Sequence, residues 1–175
     1  YYSKMNRNPY AFYYGGNKDD IKDEYYSVIG ASIGLGRRLT WPDDFFTLYT
    51  SLSYQRYKVK DYPGLFLVQN GHFNNFSFTT TLGRSSQDQM IYPRRGSNLS
   101  LSLQLTPPYS LFNPGVDYAN LDDDEKYKWV EYHRWMFKAD WFHSLLGDLV
   151  LMARMQFGYL AHYNDAIGPS PFEGI

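Results

Sequence analysis

The 175-residue sequence contains no cysteine. That removes disulfide bonds, thiolate metal sites and cysteine nucleophiles together, and it fits passage through an oxidising compartment. Long apolar runs are missing too: no stretch approaches the roughly 20 residues that a membrane helix needs, and mean hydropathy is −0.52. A helical span is excluded. A barrel is not, because a barrel strand shows lipid only every second residue. Neither sign of charge dominates: 17 Lys and Arg stand against 18 Asp and Glu, for a net charge of −1. No strong pull of the whole chain toward nucleic acid or an anionic surface is therefore expected. A signal peptide is also lacking, and the chain opens abruptly on YYSKMNRNPY. Its N-terminus is expected to be internal to a longer protein.

Aromatic residues, by contrast, are abundant. The sequence has 18 Tyr, 12 Phe and 4 Trp, and Tyr and Trp suit boundaries between water and apolar matter. Six segments alternate with period two, which predicts strands. The first spans about residues 25–39, with Ile29, Ala31, Ile33 and Leu35 opposed to Gly30, Ser32, Gly34 and Gly36. The second, about 45–59, sets Phe46, Leu48, Leu52 and Tyr54 against Thr47, Ser51, Ser53 and Gln55. The third, about 73–84, sets Phe76, Phe78 and Leu82 against Asn75, Ser77 and Thr79. The fourth, about 97–106, carries LSLSLQL, with leucine at every odd position from Leu99 to Leu105. The fifth, about 131–145, alternates Trp135, Phe137, Ala139 and Trp141 with Arg134, Lys138 and Asp140. The sixth, about 149–161, alternates Leu149, Leu151, Met155, Phe157 and Tyr159 with Arg154, Gln156 and Gly158.

The connections alternate as well. TWPDD, SSQDQMIYPRRG and LGD are short or middling, and Gly147 suits the tight turn of the last. DYPGLFLVQNGH and PPYSLFNPGVDYANLDDDEKYKWV are long, as are the polar segment before Tyr25 and the trailing HYNDAIGPSPFEGI. Short links at one end and long ones at the other are the pattern of an outer-membrane barrel. A soluble sandwich or lipocalin-like domain also alternates and is the other reading. Three features favour the barrel. The polar faces carry Ser, Thr, Asn, Gln and Gly rather than Lys and Glu. Aromatics gather at strand ends (Tyr25, Tyr26, Trp41, Phe45, Phe46, Tyr57, Tyr92, Trp129, Tyr132, Trp141, Phe142, Tyr159), as in two interfacial girdles. Strands of this length suit a tilted crossing. The expected fold is therefore all-β: an antiparallel transmembrane β-barrel of which residues 1–175 supply part of one domain. Six strands cannot close, because small membrane barrels have at least eight and an open edge is not tolerated in hydrocarbon.

Motifs with chemical potential are few. GASIGLG (Gly30 to Gly36) lacks the Lys-Ser/Thr pair of a phosphate loop and reads as a strand whose small inward residues leave room for a loop or plug in the lumen. LDDDEK (Leu121 to Lys126) lacks EF-hand spacing and reads as a solvated loop. His72, His133, His143 and His162 are dispersed; His133 and His143 stand about 33 Å apart along one strand. Two Asn-x-Ser sequons, at Asn75 and Asn98, fall in strands. Arg134, Lys138, Asp140 and Arg154 fall on inward faces of neighbouring strands, as lumen polarity, a salt-bridge network, or a patch that seats a loop. Leu65, Phe66 and Phe112 are apolar residues of the long loops, for loop packing or for docking surface-side accessory proteins. No catalytic constellation, cofactor or metal site is expected, and the chain does not read as an enzyme.

Three stretches carry a family likeness: GLGRRLTWPDDFFTLYTSLSYQRY (Gly34 to Tyr57), YPRRGSNLSLSLQLTPPYSLF (Tyr92 to Phe112) and GPSPFEG (Gly168 to Gly174). They resemble the BamA family, the core insertases of the outer-membrane β-barrel assembly machinery of Gram-negative bacteria. The resemblance spans essentially the whole chain and implies the middle of a sixteen-stranded barrel, about its sixth to eleventh strands, with GPSPFEG entering a lumen-folded loop. It further implies periplasmic POTRA domains before Tyr1 and an Arg-Gly-aromatic motif after Ile175. RRG at Arg94 to Gly96 is not that motif, because it lies in a short turn. The implied function is folding and insertion of β-barrel proteins into the outer membrane, with this segment as barrel wall and extracellular loops. Implied partners are outer-membrane lipids and lipopolysaccharide, unfolded β-barrel clients and other subunits of the machinery, without nucleic acid. A porin or a plugged nutrient transporter is the alternative, since the wall physics is the same.

Overall fold

A computed structural model describes residues 1–6, 25–60, 70–113, 115–170 and 174. Its strands form a single open antiparallel sheet whose spatial order follows the sequence. They are β1 (Tyr2–Asn6), β2 (Tyr25–Arg38), β3 (Phe46–Lys60), β4 (Gly71–Ser85), β5 (Gly96–Leu105), β6 (His133–Leu146) and β7 (Leu149–Ala161). Two four-residue helices, α1 (Tyr109–Phe112) and α2 (Asp123–Lys126), lie between β5 and β6. The predicted six segments are β2 to β7. β1 is additional. Its sequence, YSKMN, is too short and too polar for alternation to reveal; pairing with β2, Tyr2 opposite Ile29 and Asn6 opposite Tyr25, makes it a strand.

The pairing keeps the faces of all seven strands in phase. One cross-strand row runs Ile33, Leu52, Phe78, Leu105, His133. Another runs Leu48, Leu82, Leu101, Phe137, Phe157. These rows make a wide apolar face. It is uncovered by any second layer of described residues: Ile33 is 71% exposed, Leu35 79% and Phe157 61%. A soluble sandwich would bury this face against another sheet. The other face carries Ser32, Ser53, Ser77, Gln104, Ser102 and Ser100. The buried residues sit on that side: Val28, Tyr57, Val59 and Phe73, with Val130 and Tyr132 from the chain leading into β6. The protein's own core therefore covers one end of the polar face and leaves the apolar face to its surroundings.

The connections alternate between the two ends of the sheet: the two shortest, 39–45 and 147–148, lie at one end with the ten-residue β4–β5 link, and the longest, 106–132, lies at the other with the equally long β3–β4 link and the β1–β2 link. Residues 39–45, 86–95 and 147–148 join β2 to β3, β4 to β5 and β6 to β7. In the last, Gly147 takes a φ of +54°, which glycine adopts without the steric cost of a side chain. Two ion pairs tie neighbouring turns and strands at this end. Asp43 accepts from Arg84 Nε and Nη2 at 3.0 and 2.8 Å, and Asp148 accepts from Arg94 at 2.7 Å.

Candidate functional site

The densest arrangement of polar side chains lies on the inner face near the long-loop end. Beyond the end of β5, the chain folds back so that residues 128–130 run beside β4. Asn74 N–H donates to Lys128 O, and Val130 N–H to Asn74 O, both at 2.9 Å. The turn is clasped by Thr106, whose N–H and Oγ1 both donate to Tyr132 O at 3.0 Å. Glu131 is buried, and its carboxylate accepts from Ser110 N–H (2.9 Å) and Ser110 Oγ (2.7 Å), which meets the need of a charge removed from water. Tyr132 and Phe73 are 0% exposed.

A hydrogen-bonded network runs outward from the Tyr132 hydroxyl. It accepts from Gln104 Nε2 at 2.8 Å and Asn75 Nδ2 at 3.3 Å. Gln104 Nε2 also reaches Ser77 Oγ (3.2 Å), and Ser77 pairs with Ser53 (2.8 Å). The Arg134 guanidinium donates to Gln104 Oε1 and, at 3.1 Å, to Gly174 O. Tyr127 OH donates to Ile167 O at 3.1 Å. The chain after β7 is thus held against the same face as the β5–β6 connection.

The four charged residues singled out from sequence all point inward, but they divide into two neighbourhoods. Asp140 and Arg154 are directly opposed on β6 and β7 and form two hydrogen bonds of 2.6 and 3.2 Å. Lys138 faces Ser100 and Gln156, next to that pair. Arg134 is six residues from Asp140, about 20 Å along the strand, and belongs to the Tyr132–Gln104 network.

Other expectations resolve as follows. The space over the inward glycines is filled by side chains of the sheet itself: a Cβ on Gly30 would meet the Tyr1 ring, and one on Gly34 the Tyr49 hydroxyl. At these two positions the small residues accommodate neighbouring rings. Among the supposed girdle aromatics, Tyr26, Tyr57 and Phe142 face inward, and Tyr132 is in the core. Their parity already carried this signal, since each is in phase with the polar face. Leu65 and Phe66 lie outside the described residues, whereas Phe112 is 69% exposed. LDDDEK forms α2 with Asp122 as its N-cap. His133 lies between the Tyr159 and Tyr163 rings, His143 stacks on Trp141, and His162 pairs with Asp165 at 2.9 Å.

A family model described as the Omp85 superfamily domain matches residues 2–173. The chain belongs to the Omp85 superfamily. Omp85 proteins are outer-membrane β-barrel proteins that act in protein insertion or secretion. The match takes in all seven strands and the β5–β6 connection, so the apolar wall and the capped inner face are both parts of the Omp85 domain. A comparison with curated proteins finds no match.

Proposed function

We propose that this chain is a wall segment of a BamA-like insertase of the Gram-negative outer membrane, with its long connections at the cell surface. The observation that carries the reading is the sidedness of the sheet. Among the described residues the apolar face is continuous and bare, while the β5–β6 connection, the chain after β7 and the polar network occupy the opposite face. In an Omp85 chain this is the geometry of lipid outside and lumen inside.

The edges set the next step. Among the described residues, the edge of β2 away from β3 has no partner along Ala31 to Arg38, past the short β1, and the edge of β7 away from β6 has none. Unpaired backbone groups in hydrocarbon cost several kcal/mol each, by the usual estimate of about that size. Further strands must therefore complete the barrel, and sixteen is the number the resemblance implies. In this role the segment catalyses no bond chemistry and uses no cofactor. It supplies a rigid wall for a machine that works by pairing a client strand at an open edge, where burial of the client's apolar face drives insertion. Arg134 helps seat the chain that follows β7, a role supported by its hydrogen bond to Gly174 O; we extend the role to Lys138, Asp140 and Arg154, farther along the same inner face, where Asp140 and Arg154 pair with each other.

Depletion of the full-length protein tests the function. Many outer-membrane barrels are expected to fall together. Loss of a single secreted protein would instead assign the chain to the secretion branch of the superfamily. Loss of one solute's uptake alone would revive the porin or transporter alternative, which the family match and the mutually paired inward charges of β6 and β7 disfavour.

A further inference from the structure

The near-neutral net charge conceals a local excess. On the outward face at the long-loop end, Lys4, Ser27, Lys58 and His72 form one cross-strand row through β1 to β4. Arg56 stands in the adjoining row between Ile29 and Asn74, and Lys60 lies opposite Tyr25. All five basic side chains are exposed. β1, β2, β3 and β4 contain no Asp or Glu. Among the described residues no carboxylate pairs with Lys4, Arg56, Lys58 or Lys60, whereas at the short-turn end Arg84 and Arg94 each have one.

The patch has shape as well as charge. Tyr25 lies under two ammonium groups, with Lys4 Nζ 4.7 Å and Lys58 Nζ 5.6 Å from its ring centre. A shallow cavity of about 280 Å³ opens outward between Ser27, Ile29, Arg56, Lys58 and His72. Its Ile29 wall joins the bare apolar face directly. The apolar run of β3 from Phe46 to Tyr54 covers about 26 Å along the strand, or about 20 Å of height at a barrel's usual tilt, which is most of its lipid-facing band. Arg56, Lys58 and Lys60 follow immediately, at the depth of the outer head groups.

We propose that this patch is a binding site for the phosphorylated head group of an outer-leaflet glycolipid, the lipid A phosphates of lipopolysaccharide. The inference rests on the outer-membrane placement argued above. The occupant follows from continuity and charge. A ligand here stands on the membrane-facing surface with its acyl chains along the apolar rows. It must be anionic to match four cations that no carboxylate among the described residues compensates. The planar Arg56 fork suits bidentate phosphate binding, and Lys4 and Lys58 add point charges, about 10 Å apart across two strand spacings.

The test uses full-length protein in phosphatidylcholine nanodiscs, titrated with bisphosphorylated lipid A and read by native mass spectrometry. Each removed cation should weaken retention about fivefold, hence roughly 25-fold for R56Q/K58Q. Dephosphorylated lipid A should bind unmodified protein at least as weakly as lipid A binds that variant, because it forfeits the attraction of Lys4 and Lys60 as well. R37Q/R95Q, at the other end of the sheet, should bind like the unmodified protein. Should R56Q/K58Q fail to assemble, K58Q alone carries the comparison at about fivefold. Equal retention by the unmodified protein and the variant would overturn the proposal, as would indifference to the phosphates. Displacement by millimolar inorganic phosphate would assign the site to soluble phosphate and overturn the lipid. A bimane label on L101C that brominated lipid fails to quench would remove the placement itself. Normal lipid A binding by a protein whose depletion spares other barrels would refute the insertase role and leave this site standing.

Discussion

Substitution of lysine at two adjacent positions of β5 separates the two faces of the sheet. Leu101 lies in an outward row between Leu82 and Phe137. On β6 that row is flanked by Trp135 and Trp141, both outward, so Leu101 sits near the middle of the apolar band. A lysine at the midplane of a barrel's lipid face costs about 2–4 kcal/mol. Ser102 points the other way, opposite Thr81 and Met136, and its hydroxyl lies 2.9 Å from Thr81 Oγ1. Ser102→Lys loses that hydrogen bond, worth about 1 kcal/mol, but keeps its charge in a wet lumen. The expected costs therefore differ by roughly 1–3 kcal/mol. Reversible folding of the full-length barrel into lipid vesicles, followed in urea, measures both. Equal costs, or a larger one for Ser102→Lys, would refute the assignment of faces.

The capped end should respond to its core. Phe73→Ala should destabilise by about 3–5 kcal/mol and Tyr132→Phe by about 1–2 kcal/mol, both read from urea midpoints. Arg134→Gln should speed proteolysis of the chain after Ala161 while leaving the strands protected; unchanged cleavage would dissociate Arg134 from that segment. Reversing the charge at Arg154 should lower assembly activity in cells if the inward charges seat the lumen loop, and full activity would end that role. In the β4–β5 turn, desolvation pushes the Asp88 carboxyl up, but the backbone N–H groups of Arg95 and Arg94 outweigh it and hold its pKa below the ordinary 3.8. A depressed carboxyl stabilises above its unfolded pKa and loses that contribution as pH falls through the folded value. Amide exchange at Arg94 and Arg95 should therefore accelerate only below about pH 4; acceleration near pH 6 would point to another group.

Much of the wall was legible in the sequence. Alternation marked β2 to β7, and loop lengths marked the two ends. Parity also sorted inward from outward residues so consistently that no later pairing contradicts it. Where the reading of aromatics went astray, at Tyr57 and Tyr132, proximity to a strand end was weighed above parity. β1 escaped because five residues without apolar contrast carry no period, and the basic row escaped because its members come from β1, β3 and β4.

Alternation by itself determines which residues share a face, and it is symmetric under exchange of inside and outside. LSLSLQL is equally consistent with leucines in a core and leucines in lipid. Only the tertiary structure decides between them. The β5–β6 connection and the chain after β7 fold onto the serine and glutamine side, where Tyr132 and Arg134 find hydrogen-bonding partners. A buried polar group needs such partners and an apolar row does not, so the loops go to the polar face and the leucines are left to lipid.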